Sequence, residues 1–290
     1  MTCSLCPRAC RAERTPDRPG GVCGMPSEPV VARAMLHQWE EPCLTGEHGA
    51  GAVFFSGCNL RCSYCQNKPI SQGGVGKPVT AVRLREIFRE LIAQGAACLD
   101  LVTPTHFTPA ILEALGEEPW PVPVVWNCGG YETPETLRLL EGRVQVYLPD
   151  LKYALPGPAG KYSAAPDYFD RAAPAIWEMF RQTGPYRMEN GHLKSGVLIR
   201  HLLLPGELEN TRRCIDWVSE AFRPGDVLFS LMSQYTPQPG ASGNLRRHVT
   251  KAEYRAAAEY MVNCGIVDGY TQERTSAKEE YTPDFDLSGT

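Results

Sequence analysis

From residue 51 to about 270, short apolar runs alternate with stretches whose apolar residues recur every three or four positions. This is the pattern of repeated β-α units around a parallel sheet. Ala52 to Phe55 is the first apolar run, and a helix is predicted at about 80–94, with Leu84, Ile87, Phe88, Leu91 and Ile92 on one face. Cys98 to Val102 predicts the second strand, and Thr108-Pro109 opens a helix with proline where its missing N–H does no harm. Val122 to Trp126 repeats the plan, with Thr133-Pro134 as helix start. Val144 to Leu148 is the fourth strand, followed by a Gly/Pro-rich loop at 155–160 and a helix around 168–182. Val197 to Leu204 is the fifth and longest, and a helix near 210–222 leads to a sixth at Val227 to Leu231. Thr250 and Glu253 have capping-box spacing at the start of a last helix.

Right-handed crossovers between such units predict an α/β fold, a partial (β/α)6 TIM-like barrel, with its site at the C-terminal strand ends. A doubly wound open sheet is the alternative. Residues 1–50 break the pattern: they carry cysteine, proline and glycine with little periodicity, as a small N-terminal cysteine-rich module stabilised partly by metal would. The expected organisation is therefore a metal-binding module at 1–50, the barrel at 51–275 and a polar tail at 276–290.

The chain of 290 residues is 43% hydrophobic and 21% charged, which suits a globular domain with a sizeable core. A net charge of −4 argues against nucleic acid or an anionic membrane as partner. With no apolar signal core after Met1 and no run of about 18 apolar residues, the expected location is the cytoplasm.

In that compartment thiols stay reduced, so twelve cysteines, eight of them before residue 66, read better as metal ligands than as disulfides. Directly after the first strand comes Ser56-Gly57-Cys58-Asn59-Leu60-Arg61-Cys62-Ser63-Tyr64-Cys65-Gln66-Asn67. A [4Fe–4S] cube usually takes four thiolates, so three would leave one iron open to a small chelating substrate, the mark of a catalytic rather than a structural site. A zinc site, or simply buried free cysteines, is the plainer reading of such a triplet. Cys3, Cys6, Cys10 and Cys23 supply four thiolates in a short polar span, enough to close a second site, zinc or iron–sulfur, with Cys43 as a spare ligand. A non-catalytic zinc-binding interaction protein is the alternative for the whole chain; the six β-α units and mild acidity speak against it.

Cys-x3-Cys-x2-Cys with an aromatic before its third cysteine, preceded by Phe54-Phe55-Ser56-Gly57 and followed by Gln66-Asn67, resembles the radical S-adenosylmethionine (SAM) superfamily. Within it the chain is similar to the pyruvate formate-lyase activating enzymes and their uncharacterised relatives. The run from Leu36 to Pro42 and the N-terminal Cys-Pro-Arg are similar to the uncharacterised branch. The resemblance implies a [4Fe–4S] cluster on Cys58, Cys62 and Cys65, SAM chelated to its open iron, and one-electron cleavage of SAM to methionine and a 5′-deoxyadenosyl radical that abstracts hydrogen. It also implies a flavodoxin- or ferredoxin-type electron donor, and as substrate a glycyl-radical enzyme, another peptide or a small molecule.

By the same resemblance the strand ends hold SAM, through Thr105, His106, Asn127, Asp150, Lys152, Arg200 and Gln234. Asp150 and Lys152 match an Asp-x-Lys motif of activating enzymes, and residues two apart on a strand share a face. Arg200 resembles the arginine that meets the SAM carboxylate, a role suited to a guanidinium fork. An ordinary ion pair is the plainer reading of these charges. The second strand departs from the activating enzymes: it ends in Thr103-Pro104-Thr105-His106 where they carry Gly-Gly-Glu.

Overall fold

A computed structural model describes residues 2–272 and 283–290. Its strands are β1 (Val30–His37), β2 (Ala50–Phe55), β3 (Lys77–Pro78), β4 (Leu99–Val102), β5 (Val124–Cys128), β6 (Val146–Pro149), β7 (Arg187–Glu189), β8 (His192–Leu202), β9 (Leu228–Met232) and β10 (Gly269–Thr271). The helices are α1 (Pro42–Thr45), α2 (Lys68–Ser71), α3 (Ala81–Ala93), α4 (Thr108–Leu115), α5 (Pro134–Arg138), α6 (Pro156–Ser163), α7 (Tyr168–Thr183), α8 (Leu208–Ala221) and α9 (Lys251–Asn263). They make an α/β fold around one mostly parallel sheet, ordered β10-β9-β8-β6-β5-β4-β2-β1-β3, with β7 paired to β8. Every pair from β2 to β10 along that path is parallel, while β1 runs antiparallel to β2 and β3.

The six expected strands are β2, β4, β5, β6, β8 and β9. Their helices start where local chemistry provides a cap: the Thr80, Thr133 and Thr250 side chains each accept from a backbone N–H of the first turn, and Thr250 with Glu253 forms a full capping box. The stretch at 155–160, read as a loop, instead begins α6. Pro156 lies in its first turn, where proline is tolerated, and Ala159 and Tyr162 are buried beneath it. The β7–β8 hairpin was missed, although Asn190-Gly191, both at positive φ, is the dipeptide that favours a tight two-residue turn.

The expected boundary at residue 50 cuts through a hairpin. β1 pairs with β2 from Val31 opposite Phe55 to His37 opposite Ala50, so β1 belongs to the same sheet as the strands that follow. At the other end, Leu287 donates to Ala32 O and Ser288 O accepts from Ala34 N–H, so the described end of the expected tail lies along β1. Residues 276–282 of that tail lie outside the described residues.

The sheet has two faces of different make-up. Val53, Phe55, Leu99, Leu101, Trp126, Tyr147, Val197, Ile199 and Phe229 point to one and join the buried helix residues Leu84, Phe88, Ile111, Ile176, Ile215 and Ala257 in the main core. On the other, Ala50, Cys98, Val125, Val146, Leu148, Leu198 and Leu228 form a separate cluster. Further along that second face stand Asp100, Asn127, Arg200 and Ser230, each two residues beyond a member of the apolar layer.

Candidate metal centre and the cavity at the strand ends

β2, β4, β5, β6, β8 and β9 turn their C-terminal ends toward one cavity of about 240 Å3. Cys58, Cys62 and Cys65 line it, with Asn127, Asp150, Lys152, Arg200 and Gln234. The structure thus brings together eight of the ten residues expected at the cluster and SAM site.

The loop that holds the three cysteines is shaped locally. Gly57 leaves β2 at φ +81°, and Asn59 donates from Nδ2 to Tyr131 O at 2.8 Å. The sulfurs act as acceptors: Cys58 Sγ from Leu60 N–H at 3.4 Å, Cys62 Sγ from the Ser163 hydroxyl at 2.9 Å, Cys65 Sγ from the Ser71 hydroxyl at 3.4 Å. Burial, then the neighbouring Cys62 and Cys65, pushes the Cys58 thiol up to about 12, and burial followed by Cys62 raises Cys65. Three thiolates gathered this closely out of water repel one another, and cationic iron is the kind of group that would offset that repulsion. As placed, no three His, Cys, Asp or Glu side chains among the described residues have metal-holding geometry. The donor set itself, three cysteines of one loop on one wall with hydrogen bonds to each sulfur, fits a cluster.

The polar wall is an ion-pair network. Arg200 donates from Nε to Asp150 Oδ1 at 3.0 Å, from Nη1 to Glu40 Oε1 at 3.1 Å and from Nη2 to Asn127 Oδ1 at 2.5 Å. Lys152 Nζ meets the other oxygen of Asp150 at 2.6 Å. Burial would raise the Asp150 carboxyl, but Lys152 and Arg200 outweigh it and hold it below its ordinary value. Beneath lie two further acids: burial, then Glu40, drives Asp100 well up, and burial, then Glu40, raises Glu41 to about 7. Arg200 is thus already ion-paired, with three of its five N–H groups committed.

Glu40 and Glu41 were not singled out as site residues. Their stretch was noted only for its family likeness, and no periodicity marks a loop residue that reaches across a sheet. Trp39, 61% exposed, also lines the cavity.

Thr105 and His106 do not reach it. Both are buried: the Thr105 hydroxyl donates to Glu132 Oε1 at 2.6 Å, and His106 Nε2 pairs with Ser56 O at 2.7 Å while its ring packs on Phe107. After the turn that follows β4, with Thr103 at φ +59°, they lie in a buried 3-10 turn that does not line the cavity. Burial lowers His106 to about 4, so it stays neutral.

At the N-terminus Cys3, Cys6, Cys10 and Cys23 fall in one neighbourhood. Burial raises Cys6 to about 12, with Cys3 and Cys23 among the charges acting on it, and burial raises Cys23, with Cys3 and Cys10 contributing. Cys43 lies elsewhere: it is buried beside Leu44 and Cys98 in the apolar layer of the second face and is no alternative ligand.

Residues 44–115, a stretch that includes Cys58, Cys62 and Cys65, match the family described as a 4Fe-4S single cluster domain. Over 272 residues the chain is 29% identical to an uncharacterised protein of Methanocaldococcus jannaschii, covering 89% of this chain and 73% of that protein. Among solved structures it is similar to Streptococcus suis SuiB bound to S-adenosylmethionine (TM-score 0.48) and bound to the precursor peptide SuiA (TM-score 0.49). Both are 13% identical and match 74% of this chain, which spans about half of theirs, 48% and 46%. No helix among the described residues is long and apolar enough to cross a membrane.

Proposed function

We propose that the chain is a radical SAM enzyme on a partial (β/α)6 barrel, with Cys58, Cys62 and Cys65 as ligands of a [4Fe–4S] cluster and SAM in the cavity beside them. The observation that carries this reading is convergence: three cysteines of one short loop line one cavity with Asn127, Asp150, Lys152, Arg200 and Gln234, which come from the ends of four different strands. The barrel is supported by the apolar cluster of the second face, which gathers side chains from β2, β5, β6, β8 and β9 together with Cys43 and Leu44 of the short α1. When bound, a cluster with one iron not held by protein supplies the electron that splits SAM to methionine and a hydrogen-abstracting 5′-deoxyadenosyl radical.

The chain's own residues would then divide the work. Lys152 and the uncommitted N–H groups of Arg200 offer donors to a carboxylate, while Glu40 and Asp150 offer acceptors to an ammonium group. Tyr64, 6% exposed and hydrogen-bonded to Tyr153, keeps water from the sulfurs. We assign Cys3, Cys6, Cys10 and Cys23 to a second site, zinc or iron–sulfur, and expect a flavodoxin- or ferredoxin-type electron donor and a peptide or small-molecule substrate. Glycyl-radical activation is the weaker version of this reading, because the second strand ends in Thr103-Pro104-Thr105-His106 and, of those four, Thr103 alone lines the cavity.

The test is anaerobic reconstitution with iron and sulfide. Reduced protein should convert SAM to 5′-deoxyadenosine, and Cys62→Ala should fall to the level of protein-free controls. Turnover at the parent rate in Cys62→Ala would overturn the reading.

A further inference from the structure

The N-terminal segment meets the cysteine loop through a few directional contacts. Gly57, next to Cys58, has no room for a side chain: a Cβ there would lie 2.9 Å from Cys23 O and against Met25 Cγ. Arg14 Nη2 donates to His106 O at 2.8 Å, and Arg61 Nη1 to Val22 O at 3.3 Å. Arg8 makes the largest contribution. Its Nε donates to Asn59 O at 2.8 Å, Nη1 to Ala164 O at 2.6 Å and Nη2 to Ser163 O at 2.8 Å, while the guanidinium sits 5.2 Å from the Tyr131 ring centroid.

These three carbonyls belong to two different parts of the chain. Asn59 follows Cys58 in the cysteine loop, whereas Ser163 ends α6 and Ala164 follows it at positive φ. One planar fork therefore ties the loop to the end of α6, a geometry that a lysine's single ammonium does not reproduce. Ser163 in turn donates its hydroxyl to Cys62 Sγ at 2.9 Å and lies 2.7 Å from Tyr153 Oη. A continuous path thus runs from Arg8 through the Ser163 backbone to a cluster sulfur.

Resting on the iron–sulfur reading above, we infer that Arg8 is a positioning residue for the catalytic cluster, holding the 58–65 loop against α6 so that the Ser163 hydroxyl is aimed at the Cys62 sulfur. A hydrogen bond to a ligand sulfur favours the more negative, reduced state and so raises the cluster's potential. The N-terminal segment then tunes the cluster as well as covering it. Arg8 stands two residues from Cys6, so a metal held by the N-terminal cysteines would act on the catalytic cluster along the same path.

The test compares full-length, anaerobically reconstituted parent, Ser163→Ala, Arg8→Ala, Arg8→Lys and the Arg8→Ala/Ser163→Ala double variant. The readouts are potentiometric titration followed by electron paramagnetic resonance and the rate of iron release to a chelator. Ser163→Ala should shift the reduced-to-oxidised ratio at a given potential by about tenfold toward the oxidised form, roughly 59 mV for one electron. Arg8→Ala should shift it the same way by at least half as much and release iron faster. The double variant should shift no further than Ser163→Ala, since both act through one hydrogen bond. Arg8→Lys should recover less than half of the loss, and with Ser163→Ala it carries the test if Arg8→Ala does not fold. Parent-like potential and chelator resistance in folded Arg8 variants, or full additivity in the double variant, would overturn the inference. A parent protein that itself shows no cluster signal on the three cysteines would instead overturn the reading on which the inference rests.

Discussion

On the second face of the sheet, the same strands change character within one pleat. Leu198 and Leu228 are paired neighbours on β8 and β9 and sit in a dry apolar layer. Two residues on, the paired neighbours are Arg200 and Ser230, in a layer of ion pairs and hydrogen bonds that also takes in Asp100, Asn127, Asp150 and Glu40. The first layer is held by area removed from water and has no other partner to take. The second is held by pairing among groups that were costly to desolvate, and the same pairing chemistry can be offered to a ligand. A fold that must be rigid below and receptive above can place both layers on one set of strands, because successive inward residues are only about 7 Å apart.

The largest effect expected on this contrast comes from Arg200→Ala. It leaves Asp150 and Glu40 buried without their shared cation, which should cost about 3–5 kcal/mol of stability in denaturant unfolding. SAM affinity should fall by at least about tenfold in calorimetry, with the cluster's absorbance intact, since Arg200 ligates no iron. Unchanged SAM binding in a folded variant would place Arg200 wholly in the structural network and break the receptive half of the contrast.

Leu198→Ala, one step down the same strand, should cost about 2–5 kcal/mol through the cavity it leaves. Its SAM affinity should match the parent's, since Leu198 does not line the cavity. A loss of affinity as large as that of Arg200→Ala would mean that the two layers do not act separately.

A smaller effect should come from Glu41. Its carboxyl is raised from 4.5 to about 7 in the folded protein, burial being the main cause, so the folded state holds a proton that the unfolded state releases. The stabilisation is complete below about pH 4.5 and is lost as pH rises toward 7, by at most about 1.4 kcal/mol per pH unit. Glu41→Gln, which mimics the protonated acid, should flatten unfolding stability over that window. A parent-like slope in the variant would assign the pH dependence to another group.

Reading the chain in order recovered the six parallel strands and the helices α3, α4, α5, α7, α8 and α9, because amphipathic period and cap residues are local properties. It located the cysteine loop for the same reason: three ligands within eight residues need no knowledge of the fold. What it misjudged depends on the turn of single residues or on contacts across the sequence. Thr105 and His106 were expected at the site by resemblance, yet after the left-handed turn at Thr103 they are buried against Glu132 and Ser56 and do not line the cavity. Cys43 was grouped with the ligands by proximity in sequence, and the β1–β2 hairpin sends it to the opposite end of the second face.

The sequence by itself therefore determined the parallel α/β order, the cavity's place at the C-terminal strand ends and the clustering of three cysteines in one loop beside it, each written in spacing over a few residues. The tertiary structure alone decided that Glu40 reaches Arg200 across 160 residues of chain and that Arg8 joins the cysteine loop at Asn59 to the backbone of Ser163, which donates to Cys62 Sγ. Such pairings follow from which strands become neighbours. That choice is made by the burial of whole faces, and a charged residue's own neighbours in sequence do not reveal it.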